Sequence, residues 1–238
     1  EPLQHLLGTT EFFRREFLTD ARALIPRPET EELVEMVLNR IPAHPVRVLD
    51  MGTGSGIIGI TLALELKDRA REVVLADISP KALDLALENA MRLGARVSTI
   101  QTDLFKTLPA TPAHEERQSA AEPEQHTEEA VEQPRTVQET RFDVIVANLP
   151  YIADGEELAP EVMRDPHTAL FGGPQGWEII ERFLSQARDY LTENGFVALE
   201  IGHDQAAAVT RIMDGCGYNH MEVLKDMSGI SRFPFAYR

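Results

Sequence analysis

The stretch "VIVANLPYIAD", residues 144–154, runs from aliphatic residues into an amide, a proline and an aromatic ring. Asn148 offers its Oδ1 as an acceptor, and the backbone carbonyl of Leu149 offers a second. Pro150 restricts Leu149 to extended geometry, which aims that carbonyl outward. Tyr151 supplies a flat wall. Two acceptors beside a wall suit a planar –NH2 group, whose two hydrogens they would hold.

A second constellation is "LDMGTGSG", residues 49–56. Glycines 52, 54 and 56 let the backbone approach a ligand, and a helix starting after them presents free N–H groups. Alone, such a turn fits any doubly wound fold. Gly54, Gly56 and Gly59 also satisfy G-x-G-x-x-G, which keeps a dinucleotide open as the ligand. Asp77 closes the following apolar run, where an acid can accept from both ribose hydroxyls of a nucleoside. Asp103, in "QTDLF", can accept from an adenine amino group while Leu104 packs on the ring.

These residues need strands that end at one edge. "VRVLD", "EVVLAD", "VSTIQTDLF", "RFDVIVANLP" and "FVALEIG" read as five strands. Helices are predicted between them: "IIGITLALELK", "PKALDLALENAMRLG" with Pro80 in its first turn and Gly94 at its end, and "GWEIIERFLSQARDYLTENG" ending near Asn194-Gly195. "HDQAAAVTRIMDGCG" follows as another helix, and the C-terminal stretch reads as two strands around Ser228-Gly229. Ahead of them all, "PRPETEELVEMVLNRI" carries apolar residues at helical spacing behind Pro28. Alternating strands and helices predict an α/β, doubly wound, mostly parallel seven-stranded sheet, closed by an antiparallel C-terminal hairpin. Ligands of such sheets bind outside the carboxyl ends of the strands, where all the polar residues above fall.

The 238 residues carry a net charge of −16, which opposes binding to bulk nucleic acid because phosphate neutralisation needs clustered Lys and Arg. Residues 107–140 hold eight glutamates against Arg117 and Arg135, and the rest of the chain remains acidic. That segment lacks aromatic residues, so it is expected to be a disordered or loosely helical surface insertion. The single cysteine, Cys216, excludes an internal disulfide framework and suits a reducing cytosol. No run approaches the roughly 18 apolar residues that span a bilayer. No export signal is expected, and the missing initiator Met reads as a fragment. No Cys or His cluster has metal spacing. His203 and Cys216 read as structural.

Here the chain resembles the class I S-adenosylmethionine-dependent methyltransferases, with their Rossmann-like fold, and more narrowly the release-factor glutamine methyltransferases (HemK/PrmC). The matching stretches are "EPLQHLLGTTEFF", "LIPRPETEELVE", "LDMGTGSGIIGI", "ADISPKALDLALENA", "QTDLF", "NLPY" and "HTALFGGPQGWEIIERF". "IPRPETE" is the most specific, since a generic methyltransferase has no reason to carry it. The resemblance implies methylation of the glutamine in the Gly-Gly-Gln motif of class 1 peptide chain release factors in the cytoplasm, with S-adenosylhomocysteine as product. It implies cofactor contacts at Asp50, Met51, Gly52, Thr53, Gly54, Asp77, Asp103, Leu104 and Asn148. Asn148, Leu149, Pro150 and Tyr151 become the catalytic and substrate-binding residues.

Residues 1–45 are then expected to be a linker and lead-in helix, without the family's small N-terminal helical domain, and residues 46–238 the catalytic domain. The family usually has Asn-Pro-Pro-Tyr where this chain has "NLPY". A backbone carbonyl serves at that position, so Leu149 can supply it. Ribosomal RNA adenine dimethyltransferases also carry "NLPY", so an adenine-amine methyltransferase acting on RNA or DNA is the competing reading. It would hold a flipped base with the same Asn and carbonyl. A degenerate binding module that keeps the fold is the non-enzymatic alternative. Glu200, which ends the fifth strand, is a candidate helper or a structural acid.

Overall fold

The computed structural model describes residues 7–109, 140–158, 162 and 165–238. The insertion expected at about 107–140 therefore lies, from 110 to 139, outside the described residues, as do residues 1–6 of the lead-in.

Strand β3 (Val46–Met51) is buried at every position, as a strand covered on both faces must be. It sits between β4 (Ala70–Asp77) and β6 (Phe142–Ala147), both parallel to it. β5 (Ser98–Gln101) pairs outside β4, and β9 (Leu191–Leu199) outside β6, again in parallel. β11 (Ser231–Tyr237) joins β9 antiparallel and carries β10 (His220–Lys225). The sheet has seven strands in the order β10-β11-β9-β6-β3-β4-β5, with β11 the one strand running against the rest. This is the expected doubly wound sheet with its closing hairpin.

Alternation along the strands divides the core in two. Val48, Leu75, Val146 and Ala198 face α1 (Pro28–Leu38), α2 (Ile57–Leu66) and α3 (Pro80–Leu93). Leu49, Ala76, Ala147 and Leu199 face α4 (Glu178–Ala187) and α5 (Ala206–Gly215). No helix of the described residues is long and apolar enough to cross a membrane.

Three local structures differ from the sequence reading. The lead-in holds a hairpin, β1 (Thr9–Phe12) with β2 (Arg15–Leu18). Its turn residues Phe13 and Arg14 have φ of 48° and 61°, so the Gly or Asn that usually signals such a turn is absent. Phe12 and Phe17 enter the core with Leu33 and Val34, and the Asn89 amide clasps the Leu18 backbone from α3 at 2.7 and 3.1 Å. Second, β5 stops at Gln101 because Leu104 turns into the left-handed region (φ 52°) and Thr102 bonds the Leu104 carbonyl at 2.7 Å.

Third, α4 ends at Ala187, short of Asn194-Gly195. A short 3₁₀ turn, Arg188–Tyr190, leads into β9, where Leu191 pairs with Phe142 and Phe196 with Val144. The residues between form a bulge, with Thr192 donating to Asp143 at 3.0 Å. Sheet pairing overrides the helical propensity of "RDYLTE". Just beyond "NLPY" the chain forms a short parallel pair, β7 (Ile152–Ala153) and β8 (Phe171–Gly173).

α2 is buried almost all round, and Gly59 allows it to lie against the sheet. A Cβ there would come 2.3 Å from Leu75 Cδ2 and 3.0 Å from Asp50 Cβ. Gly59→Ala should therefore lower stability by about 1–3 kcal/mol through overpacking. Urea unfolding followed by circular dichroism measures this; an unchanged midpoint would show that α2 has room to retreat.

Candidate active site

Period-two alternation fixes which strand-end residues meet. Asp50, Asn148 and Glu200 each come two residues after a strand residue that faces α1 and α2, so they continue that face, Asp50 within the end of β3 and the other two just beyond the sheet edge. The register pairs Met51 with Ala147 and Ala147 with Leu199. Gly52, Asn148 and Glu200 therefore arrive side by side.

The glycine turn is held by β4. Gly52 N and Thr53 N both donate to the Ala76 carbonyl, at 2.8 and 3.0 Å. Gly54 N donates to Asp77 Oδ2 and Ser79 N to Asp77 Oδ1, each at 2.9 Å. Burial raises the Asp77 carboxyl above its ordinary range, against the bonds from Ser79 and Gly54. Asp50 is fully buried behind the turn. Its Oδ2 accepts from Thr53 Oγ1 at 2.6 Å and from Gly59 N at 2.8 Å, while Oδ1 has no partner among the described residues. Burial pushes its carboxyl up to about 6. Gly52 has φ +71°, and a Cβ on it would lie 2.9 Å from Leu149 Cδ2. The glycine thus lets the "NLPY" turn close over the cleft floor.

A cleft of about 330 Å³ opens between these turns. Met51, Gly52, Gly54, Asp77, Asp103, Leu104, Asn148, Leu149 and Pro150 line it, together with residues of other elements. Asp50, Thr53 and Tyr151 stand outside that lining. Tyr151 packs behind it; burial, with the Glu200 charge, pushes its phenol up to about 12.

The sequence reading did not foresee Arg22, Ile78, His167 or Arg182 in the wall. Arg182 bonds both oxygens of Asp103 at 3.1 Å. Arg22 is held by Asp20 and Glu88. Helical spacing put Arg182 on a polar face of α4, and only the tertiary fold brings it to the third strand end.

The other missed residue is Thr30, which lies inside "IPRPETE". Pro28 opens α1, and Thr30 N bonds the Arg27 carbonyl at 3.1 Å. The Thr30 hydroxyl donates to Glu200 Oε2 at 2.7 Å and receives Asn148 Nδ2 at 3.4 Å. Thr30 and Glu200 are both 2% exposed. The nitrogen end of the Asn148 amide is thereby taken, and no described residue donates to its Oδ1. Burial first, and the Glu29 charge after it, push the Glu200 carboxyl up to about 7, against Thr30, Arg232 and Asn148. His203 is exposed and Cys216 caps α5, both away from the cleft. No group of metal-ligating side chains forms among the described residues.

The model of a family described as a methyltransferase domain matches residues 44–229. The chain is 38% identical, over 98% of its length and 75% of the relative's, to a release factor glutamine methyltransferase of Neisseria gonorrhoeae (strain ATCC 700825 / FA 1090). It is 39% identical, over 98% of its length and 73% of the relative's, to one of Koribacter versatilis (strain Ellin345). Among solved structures it is similar to a 16S rRNA methyltransferase of T. Thermophilus in complex with AdoMet and guanosine. That match has a TM-score of 0.63 at 15% identity over 97% of this chain and 49% of the other, which speaks to the fold alone.

The Glu200 carboxyl gives the site a pH signature. Its pKa rises from 4.5 in the free side chain to about 7 in the fold. Between those values the folded chain keeps a proton that the unfolded chain releases. Stability therefore falls as pH rises through that window and levels off above it. Asp50 adds a slope of the same sign at lower pH. In Glu200→Gln the part of the slope between about 4.5 and 7 should vanish. Unfolding midpoints of both chains against pH measure it, and parallel curves would mean Glu200 titrates normally.

Proposed function

We infer the reaction from the fact that this chain belongs to the release factor glutamine methyltransferase family. The chain is a methyltransferase, and its substrate is the side-chain amide of a glutamine in a peptide chain release factor. We assign that glutamine to the Gly-Gly-Gln motif of class 1 factors, and the methyl donor to S-adenosylmethionine. A translation factor as partner makes the cytoplasm the expected compartment.

The residues at the cleft fit that donor. When bound, it supplies a methyl group already activated on a sulfonium. Asp77 would hold the ribose: each carboxylate oxygen accepts one backbone N–H and keeps a lone pair for a hydroxyl. Gly52 and Gly54 would leave room for the amino-acid end, and Asp103 and Leu104 would take the adenine. Asp50 and Thr53 would act from behind, by bracing the turn. The buried acids of this edge also favour a cationic ligand over a neutral one.

A glutamine amide is a weak nucleophile because its nitrogen lone pair is delocalised into the carbonyl. The chain's contribution is mainly placement. Asn148 Oδ1 and the Leu149 carbonyl would accept the two amide hydrogens, fix the nitrogen in line, and stabilise the positive charge that develops on it. Pro150 and Tyr151 would shape the slot and its backing. The observation that carries this reading is the Asn148 amide, whose nitrogen end is bound to Thr30 so that its oxygen is left for a ligand. An adenine amine could use the same acceptors, but a net charge of −16 opposes the binding of a phosphate backbone.

Asn148→Ala should lower turnover far more than cofactor affinity, because its bonds strengthen as charge develops. The loss should be about 10²–10³ in rate, by analogy with a lost oxyanion-hole donor. Single-turnover methyl transfer to a release-factor domain, beside a cofactor titration, measures both. Full turnover with normal cofactor binding would reduce "NLPY" to a plain turn.

A further inference from the structure

We propose that Thr30 and Glu200 are positioning residues that decide which end of the Asn148 amide faces the cleft. This rests on the reading of Asn148 as the acceptor for the substrate amide.

An asparagine side chain carries an acceptor at one end and a donor at the other, and a half-turn exchanges them. A substrate –NH2 needs the acceptor end. Thr30 has a single hydroxyl proton, which it gives to Glu200 Oε2 at 2.7 Å. Its oxygen then has only lone pairs to offer Asn148, so only Nδ2 can approach it, as it does at 3.4 Å. The polarity runs one way: Asn148 donates to Thr30, and Thr30 donates to Glu200. Water cannot substitute, because Thr30 and Glu200 are each 2% exposed.

Both members are fixed independently of Asn148. Glu200 N donates to the Ala147 carbonyl at 3.1 Å, tying it to the end of β6. Thr30 sits in the first turn of α1, whose start Pro28 presets. This gives "IPRPETE" a physical purpose: it delivers one hydroxyl beneath the strand ends.

The groups facing Glu200 are Thr30 and the Glu29 carboxylate of α1, Asn148 and the Tyr151 phenol from the turn after β6, and Arg232 of β11, itself paired with Asp226 at 2.7 Å. A protonated Glu200 could donate to Thr30, which would free the Thr30 proton for Asn148 Oδ1. The amide would then turn its nitrogen to the cleft, donor against donor. The relay therefore demands an ionised Glu200.

The test uses the chain with methyl-labelled S-adenosylmethionine and a release-factor domain bearing Gly-Gly-Gln. Thr30→Val keeps the volume and removes the hydroxyl; it should lower kcat about 10²-fold, the scale of a misplaced reacting group. Its cofactor Kd should stay near that of the parent, read at a temperature where circular dichroism shows the variant folded. Thr30→Ser, which restores the hydroxyl, should recover most of kcat. Parent kcat should rise with pH through about 7, while Glu200→Gln is slow and flat. By NMR, the Asn148 side-chain NH2 should exchange slowly in the parent and fast in Thr30→Val.

Parental kcat in Thr30→Val would overturn the proposal. So would equal losses in the valine and serine variants, or a loss of kcat matched by an equal loss of cofactor affinity in the folded variant. An inactive parent whose Asn148 protection still depends on the Thr30 hydroxyl would support the relay and remove the substrate reading instead.

Discussion

A carboxylate that is 2% exposed must be solvated by the protein, and Glu200 is solvated chiefly by Thr30. An unpaired buried charge costs several kcal/mol, so the start of α1 is obliged to dock at the end of β9. That docking puts Thr30 against Asn148, because the β6–β9 register makes the two strand ends neighbours. Asp50 imposes the same demand two strands over and is met by Thr53 and the Gly59 N–H. Two buried acids thus pull the lead-in helix and the glycine turn onto one sheet edge.

The two halves of the cleft are held differently. The glycine turn is tied to β4 by two backbone bonds to the Ala76 carbonyl, at 2.8 and 3.0 Å, and the Asp77 carboxylate is pinned between Gly54 N and Ser79 N at 2.9 Å. The far rim is looser. Arg182 and Asp103 form an ion pair with side chains 55% and 41% exposed, worth about 0–1 kcal/mol at such sites. A ligand amine reaching Asp103 would displace little. Rigidity is concentrated where the amide and the ribose would be oriented, and adaptability where a ring would slide in.

Much of this was legible in the sequence, for physical reasons. Strands buried on both faces, such as β3 and β6, read as aliphatic runs, and the residues that follow them line the cleft. "DMGTGSG", Asp77, Asp103 and Asn148 could be placed at one edge by the doubly wound pattern alone. What could not be read depends on pairing across the fold. The β1–β2 turn uses Phe13 and Arg14, without a glycine to announce it. The α4–β9 boundary is set by Phe142, distant in sequence. Glu200 was visible as a strand-ending acid, but its partner lay 170 residues away in a motif known only by its wording. Tyr151, read as a wall of the slot, is not among the residues that line the cleft.

The account turns on a glutamine amide being the group that Asn148 and Leu149 hold. Its most direct test is to incubate the chain with S-adenosylmethionine and a class 1 release factor, with an adenine-rich RNA in parallel, and to map the product by mass spectrometry. The account predicts one added methyl on the side-chain nitrogen of the Gly-Gly-Gln glutamine and none on the RNA. A methyl on adenine, or on the release factor anywhere but that glutamine, would contradict it.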